Sequence, residues 1–547
     1  MPQNSSTPKP PISVHSSPLL SKWLSEGVAL HEIGKLTEAQ DFYRKVLTIK
    51  PDHCEALQLL GTIEIQMGNY AQAVKTLTTA LQIDPKHALT QNNIGVALEC
   101  LKNFDAAIDR FNQAINLLPE YAEAYFNRGN VLREQMQYDA AIDSYNQAIR
   151  LVPNYSIAYY NRGNAFQGQR KFEAAIDSYE KAITSLGNSA KSDPSFAPVY
   201  YWRGVALHHL RKIDAAIESY EQAISTNPNY VEAICDSALA YLLICDFDKG
   251  WTRIKWRWEH MPVSTFKERR FFNEPLWLGN ESLAGKTILL YAEQGFGDTI
   301  MFSRYAKLVS DLGAKVILEV QPQLVSLLKN LEGISQIATR EEILPKFDYQ
   351  TPLLSLPLAF HTNKNSIPSF TKCIHADPIK VAQWQEKLGE KLKPRVGLVW
   401  SGSEINTHDA SRSMQLNAFI PYLSPSVSWI SLKNELSEVD KSTLHNNSLI
   451  LDFADDLQDF SDTAALIECL DLVITVDTSV AHLSAALGKK TWVLLPYTPD
   501  WRWQLERDDS PWYPSIKLYR QSSIGDWTSV LEKVKLDLIA ALPLHLA

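Results

Sequence analysis

The chain has 547 residues, 45% hydrophobic and 21% charged, with a formal net charge of −9 and a pI near 5.9. That length exceeds one core, since roughly 100–200 residues per domain gives three or four units. The acidic balance disfavours a nucleic-acid grip, which needs a basic face against phosphate. Six cysteines, Cys54, Cys100, Cys235, Cys245, Cys373 and Cys469, are scattered without a CxxC pair, so neither a zinc site nor a disulfide framework is indicated.

Residues 1–19 are rich in Ser and Pro, lack the apolar core of a signal peptide, and read as a disordered tail. No apolar run reaches the roughly 20 residues that span a bilayer. The expectation is a soluble, cytoplasmic protein with no membrane span.

A strict repeat follows. Pro51, Pro85, Pro119 and Pro153 fall 34 residues apart, in step with Gly27, Gly61, Gly95, Gly129 and Gly163. Leu36, Tyr70, Phe104, Tyr138 and Phe172 keep the same beat, each followed three residues later by alanine: Ala39, Ala73, Ala107, Ala141 and Ala175. Small residues where helices cross and proline at the turn make this a stack of helical hairpins. Pro194 and Gly204 come 41 residues after their predecessors, and the period resumes at Pro228, so seven residues are inserted in the loop-like stretch Ser185–Asp193. The pattern resembles the tetratricopeptide repeat family, with six good copies and a degraded seventh inside residues 20–264.

In that family the first helix of each hairpin lines the concave face of a superhelix. Asn93, Asn127 and Asn161 stand two positions before repeat glycines, which would stack them as a ladder. An amide donates to and accepts from one peptide unit, so such a ladder can hold an extended chain by its backbone. It is similar to the ladder of protein O-GlcNAc transferases. The alternative is that these amides bond within the stack. Arg128, Arg162 and Arg203, beside the glycines, either favour an acidic partner or are simply solvated. Trp251, Trp256 and Trp258 read as a hydrophobic junction to the second half.

Beyond the repeats the texture changes to short apolar runs alternating with helical stretches. Gly285–Ala292 reads as a strand, Asp298–Leu312 as a helix and Lys315–Val320 as a second strand, a βαβ unit. The loop Glu293-Gln294-Gly295-Phe296-Gly297-Asp298 with Glu319 downstream invites a dinucleotide reading. Ile300 in place of the third glycine, and the charge of Asp298 where a pyrophosphate would dock, argue against it. At a helix N-terminus the dipole would hold Asp298 ionised, which suits a general base; the plain alternative is a helix cap.

A further α/β unit begins near Arg395. Val396–Trp400, Ser428–Leu432, Leu449–Leu451, Leu472–Val476 and Trp492–Leu495 read as strands, with Ser401-Gly402 and a polar loop carrying His408, Asp409 and Arg412 after the first. The fourth ends in Asp477-Thr478-Ser479 and opens a small-residue helix with His482 one turn in, an arrangement suited to an anion; alternatively Asp477 ends a strand and His482 is a satisfied core histidine. The aromatic segment Trp501–Tyr513 reads as packing in preference to a base-stacking platform.

Residues 285–545 resemble the heptosyltransferase-related glycosyltransferases of the GT-B fold, on the strength of GFGDTIMFSRY (Gly295–Tyr305), VGLVWSG with Arg412-Ser413, and VDTSVAH followed by Ala-Leu-Gly. The resemblance implies an all-α tetratricopeptide superhelix followed by two Rossmann-like halves, residues 280–390 and a donor-binding half, 391–547. It implies Asp298 as base, Arg412 as the cation on the leaving diphosphate, Ser401, Gly402, Glu435, Asp477, Thr478, Ser479 and His482 on the donor, and Gly295 and Gly297 on the acceptor side. It implies inverting, metal-independent hexosyl or heptosyl transfer from a nucleotide sugar that is substrate and not cofactor, with a protein or peptide recruited by the repeats. The rival reading is a scaffold whose second half is inactive.

Overall fold

A computed structural model of the chain describes residues 16–187, 193–257, 270–402 and 409–541. Two compact units divide it, Met1–Ala206 and Leu207–Ala547.

The first unit is built of helical hairpins. Ser16–Glu32 pairs with Leu36–Ile49, Cys54–Gln66 with Tyr70–Ile83, Ala88–Cys100 with Phe104–Leu117, Ala122–Glu134 with Tyr138–Leu151, and Ser156–Gly168 with Phe172–Leu186. The periodic large residue opens each second helix, and the periodic alanine one turn on is fully buried at all five positions. The periodic glycine has a steric cause. A Cβ on Gly27, Gly95, Gly129 or Gly163 would lie 2.5–2.6 Å from the ring of Tyr43, Phe111, Tyr145 or Tyr179, each sixteen residues later; at Gly61 the obstacle is Leu77. Only a side chain of zero length lets the two helices of a hairpin close on that ring.

The tight turn inside each hairpin takes one left-handed residue. Gly34 and Gly68 fill it at φ 76° and 78°; Lys102, Met136 and Arg170 fill the same register at 61°, 59° and 59°. A side chain there costs about 1–2 kcal/mol, so the later copies carry a strain that the first two avoid. Much of the Ser185–Asp193 insertion falls outside the described residues.

The second unit opens with helical hairpin elements, Ile213–Thr226, Val231–Leu243 and Phe247–Ile254, and continues into two parallel sheets. The first sheet comprises β1 (Thr287–Tyr291), β2 (Lys315–Val320), β3 (Gln336–Thr339) and β4 (Tyr349–Pro352), in the order β3-β2-β1-β4. The expected single helix after β1 is two, Phe296–Phe302 and Tyr305–Asp311. The helical ladder tightens between them, where Ala306 N–H reaches back only to Ser303 O at 3.0 Å.

The second sheet comprises β5 (Arg395–Val399), β6 (Ser428–Ser431), β7 (Ile450–Leu451), β8 (Leu472–Val476), β9 (Thr491–Leu495) and β10 (Ile516–Arg520). Its order, β10-β9-β8-β5-β6-β7, is the doubly wound one. The order in which strands are added across the sheet reverses between the parallel neighbours β5 and β8, where Val396 pairs with Leu472 and Val399 with Thr475. In open parallel sheets the crevice for a ligand lies beyond the carboxyl ends of the strands at such a switch point. Ser401-Gly402 and Asp477-Thr478-Ser479 are the residues that follow those two ends.

The aromatic segment is packing: Trp501, Trp503, Trp512 and Tyr513 are all buried. Trp251 is buried too, donating its indole N–H to Thr362 O at 2.9 Å and meeting Trp501 edge-on at 5.3 Å. Trp258 lies outside the described residues. No described helix is long and apolar enough to cross a membrane.

Candidate functional site

A cleft of about 590 Å³ is bounded by the glycine loop after β1 and by the loops after β5, β6 and β8, within the size range of small-molecule sites. Gly295, Gly297 and Asp298 line it from one side, with Ser401, Gly402, Arg412, Glu435, Asp477, Thr478, Ser479 and His482 from the other. Thus every expected residue of the second half reaches one cavity. His408 lies outside the described residues, as does the side chain of Asp409.

Two glycines act differently. A Cβ on Gly297 would come within 2.9 Å of His482 Cδ2, so this glycine lets the helix after β1 approach the helix after β8. A Cβ on Gly295 would meet nothing closer than Asp298 Oδ2 at 3.8 Å.

Asp298 sits in the first turn of Phe296–Phe302, capped by Gly295. Burial pushes its carboxyl above the usual range, against the pull of Arg502 and of the Gly295 N–H. Arg502 Nη2 bonds Asp298 Oδ1 directly. Asp500 Oδ1 takes Arg502 Nη1 at 2.8 Å and its backbone N–H at 3.0 Å. Burial alone would depress the guanidinium, but Asp298 and Asp500 outweigh it and raise it.

Across the cleft Asp477 is pushed up to about 6 by burial and the neighbouring Asp500 charge, with Arg412 and Arg502 opposing. His482 is held well below its ordinary value by burial and by Arg502, Arg304 and Arg412, so it is neutral at neutral pH. Its Nδ1 is 3.1 Å from the Tyr513 hydroxyl, and its ring stacks on Trp503 at 5.4 Å. Thr478 is the N-cap of Ser479–Ala486, yet its hydroxyl does not cap; it lies 3.0 Å from Thr475 Oγ1. The first backbone N–H groups of that helix therefore receive no side-chain oxygen from their own cap, and Thr478, Ser479 and Val480 line the cleft.

The cleft lining also holds polar residues beyond the expected set, among them Lys433, Asp500 and Arg502. Lys433 Nζ bonds Ser401 Oγ at 2.6 Å and the Ser401 carbonyl at 3.2 Å, placing a cation beside the loop after β5. The Gly402 N–H donates to Ser413 Oγ at 2.9 Å, which fixes that loop. Arg502 lay hidden in the Trp-Arg-Trp segment, where its neighbours announce packing. Glu319, the candidate ribose acid of a dinucleotide site, is buried and paired with Arg270 at 3.0 Å.

The asparagines of the repeats are tied between hairpins. Asn93 Nδ2 donates to Thr62 Oγ1 at 3.2 Å, Asn127 Nδ2 to Asn92 Oδ1 at 3.0 Å, and Asn161 Nδ2 to Asn130 Oδ1 at 2.8 Å. One N–H of each amide thus serves the stack, as the alternative reading expects; an amide NH2 has a second donor. Arg128 and Arg162 likewise turn inward, to Ser144 and Asn112 and to Ser178 and Asn146 respectively.

Comparison with known proteins follows this division. Tetratricopeptide repeat models match residues 23–53, 52–120, 111–143, 129–169, 156–184 and 197–230. The model of glycosyltransferase family 9 (heptosyltransferase) matches residues 457–526, the span that holds Asp477, His482, Asp500 and Arg502. Protein FlbA of Caulobacter vibrioides is 26% identical over 283 residues, covering 47% of this chain and 47% of FlbA, so the match spans about half the length of that relative. Among solved structures, MamA is 28% identical over 31% of this chain and 94% of its own, with a TM-score of 0.29. PilF of Pseudomonas aeruginosa is 20% identical over 40% and 96%, with a TM-score of 0.35. The chain joins tetratricopeptide repeats to a heptosyltransferase-like domain.

Proposed function

We propose that the protein is a GT-B glycosyltransferase that moves a sugar from a nucleotide-sugar donor to an acceptor hydroxyl, its repeats recruiting a protein partner or acceptor. The observation that carries this is the convergence on one cleft of Asp298 from the first sheet with Arg412, Lys433 and the Thr478 helix start from the second.

In this reading the diphosphate of the donor lies at the switch point of the second sheet, against Ser401, Gly402 and the N–H groups that follow Thr478. Asp477, Ser479 and His482 adjoin the sugar, and Glu435 the nucleoside. The acceptor oxygen, steered past Gly295, attacks the anomeric carbon; the bond from that carbon to the diphosphate oxygen breaks, and Asp298 takes the acceptor proton. Arg412 and the helix start stabilise the charge that grows on the departing diphosphate. Direct displacement inverts the sugar carbon, and the step calls on no metal and no cofactor. A buried carboxyl with a raised pKa suits the base better than an exposed one, because a base is most effective when its pKa nears the working pH.

The test is thermal unfolding of the full chain against a panel of nucleoside diphosphate sugars. A cognate donor at about 100 times its Kd adds ~2.7 kcal/mol to the unit that binds it. A flat response across the panel, with no donor hydrolysis, would favour the inactive scaffold.

A further inference from the structure

Arg502 and Asp298 stand 204 residues apart in sequence, yet the guanidinium of one bonds the carboxylate of the other. The arginine side chain is 11% exposed and the aspartate 24%, so the pair sits in the cleft wall with one open side. Asp500 holds the same guanidinium from its own loop, at Nη1 and at the backbone N–H, and the Trp501 ring lies 4.5 Å from its carbon. Asp500 is thus the anchor, and Asp298 is the partner from the opposite wall. Arg502 also acts electrostatically on Asp477 and His482, the same two groups that feel Arg412. The two arginines therefore contribute to one field.

We propose that Arg502 is a shared cation through which the anionic diphosphate of a donor unmasks Asp298 as a base, an inference that rests on the glycosyltransferase reading above. A guanidinium presents a rigid fork of donors that fits phosphate as well as carboxylate. A diphosphate brought into the cleft competes with Asp298 for the Nη2 side of Arg502, while Asp500 keeps Nη1. The groups facing Asp298 are Arg502, Asp500, the Gly295 N–H and, behind the loop, Glu293. Glu293 is itself neutralised by Arg257, so of these groups only Arg502 is a cation that an incoming anion can draw away. A carboxylate that loses its cation binds protons more tightly. Asp298 thereby becomes a stronger base at the moment the donor arrives, and a weaker one when it does not.

The experiment is calorimetry of inorganic pyrophosphate binding to the full chain in buffers of different ionisation enthalpy. Wild type should take up more protons on binding than Asp298→Asn does, the excess being a fraction of one because the ionised form of Asp298 is the one that acts as base; repeating the titration over a range of pH in both proteins separates the protonation of pyrophosphate itself. Arg502→Gln should weaken pyrophosphate by about tenfold or more and abolish that difference, whereas Arg502→Lys, which keeps the charge, should restore part of both. If Arg502→Gln does not fold, the comparison of wild type with Asp298→Asn still decides. Tight binding with equal proton uptake in those two proteins would overturn the shared cation and leave the donor cleft standing. Absence of pyrophosphate binding to wild type would overturn both.

Discussion

Replacing Arg257 by alanine should unseat the glycine loop, and the structure gives the magnitude. Glu293 opens that loop, and its carboxylate is gripped by Arg257 Nε at 3.0 Å and Nη2 at 2.5 Å, with the Leu354 N–H at 3.2 Å as its other donor. The two side chains are 3% and 2% exposed, and the guanidinium also holds Ile254 O and Ser355 Oγ. Among the described residues, Arg257→Ala leaves a buried anion with the Leu354 N–H as its remaining donor, a loss of about 3–5 kcal/mol. The loss should depend on pH. Burial already raises the Glu293 carboxyl against the pull of Arg257, and removing the arginine raises it further. The stability tied to a raised folded pKa is fully present below the unfolded value and lost as pH rises through the folded one. The variant should therefore be weakest near neutral pH and recover in mild acid, where a neutral carboxyl costs only about 1–3 kcal/mol. Urea unfolding followed by tryptophan fluorescence reads the right unit, because all of the 14 tryptophans except Trp23 and Trp202 lie in Leu207–Ala547. A loss under about 1 kcal/mol, or one that does not change between neutral and acid pH, would refute the reasoning.

Two further outcomes concern the repeats. Gly129→Ala places a methyl 2.6 Å from Tyr145 Cε1; overpacking costs about 1–3 kcal/mol against a helix-propensity gain of at most ~1 kcal/mol, so the thermal midpoint of the repeats should fall, and a rise would contradict the steric account. Changing Asn93, Asn127 and Asn161 together to alanine should destabilise the stack by about 0.5–1.5 kcal/mol per bond, read by urea titration of the repeat transition. Full stability with lost partner binding would favour the clamp role.

The repeats were legible in the sequence because each periodic residue answers to one local contact. A glycine and a ring sixteen residues on must fit within a single hairpin, so the period survives where the surface does not. β1, β2 and β8 were legible as apolar runs buried on both faces. β3, β4 and β10 were not: Gln336–Thr339 is a short edge strand with one buried residue, Tyr349–Pro352 ends in proline, and Ile516–Arg520 mixes buried and half-buried positions. The cleft residues that sit in motifs at strand ends were found, whereas Arg502 was not. Its meaning comes from Asp298, and nothing near it in sequence says so. The asparagines show the complementary limit, since a regular spacing tells where they stack but not whether their amides point to a ligand or to the next repeat.

Asp298 as the base of a transfer reaction in the cleft between the two sheets carries the proposed chemistry. The most direct measurement is turnover and donor affinity of Asp298→Asn, with the donor picked out by thermal stabilisation. The account predicts a turnover lower by about 100- to 10,000-fold with donor affinity largely retained, since the base acts on the acceptor. Near-normal turnover in that variant would contradict it.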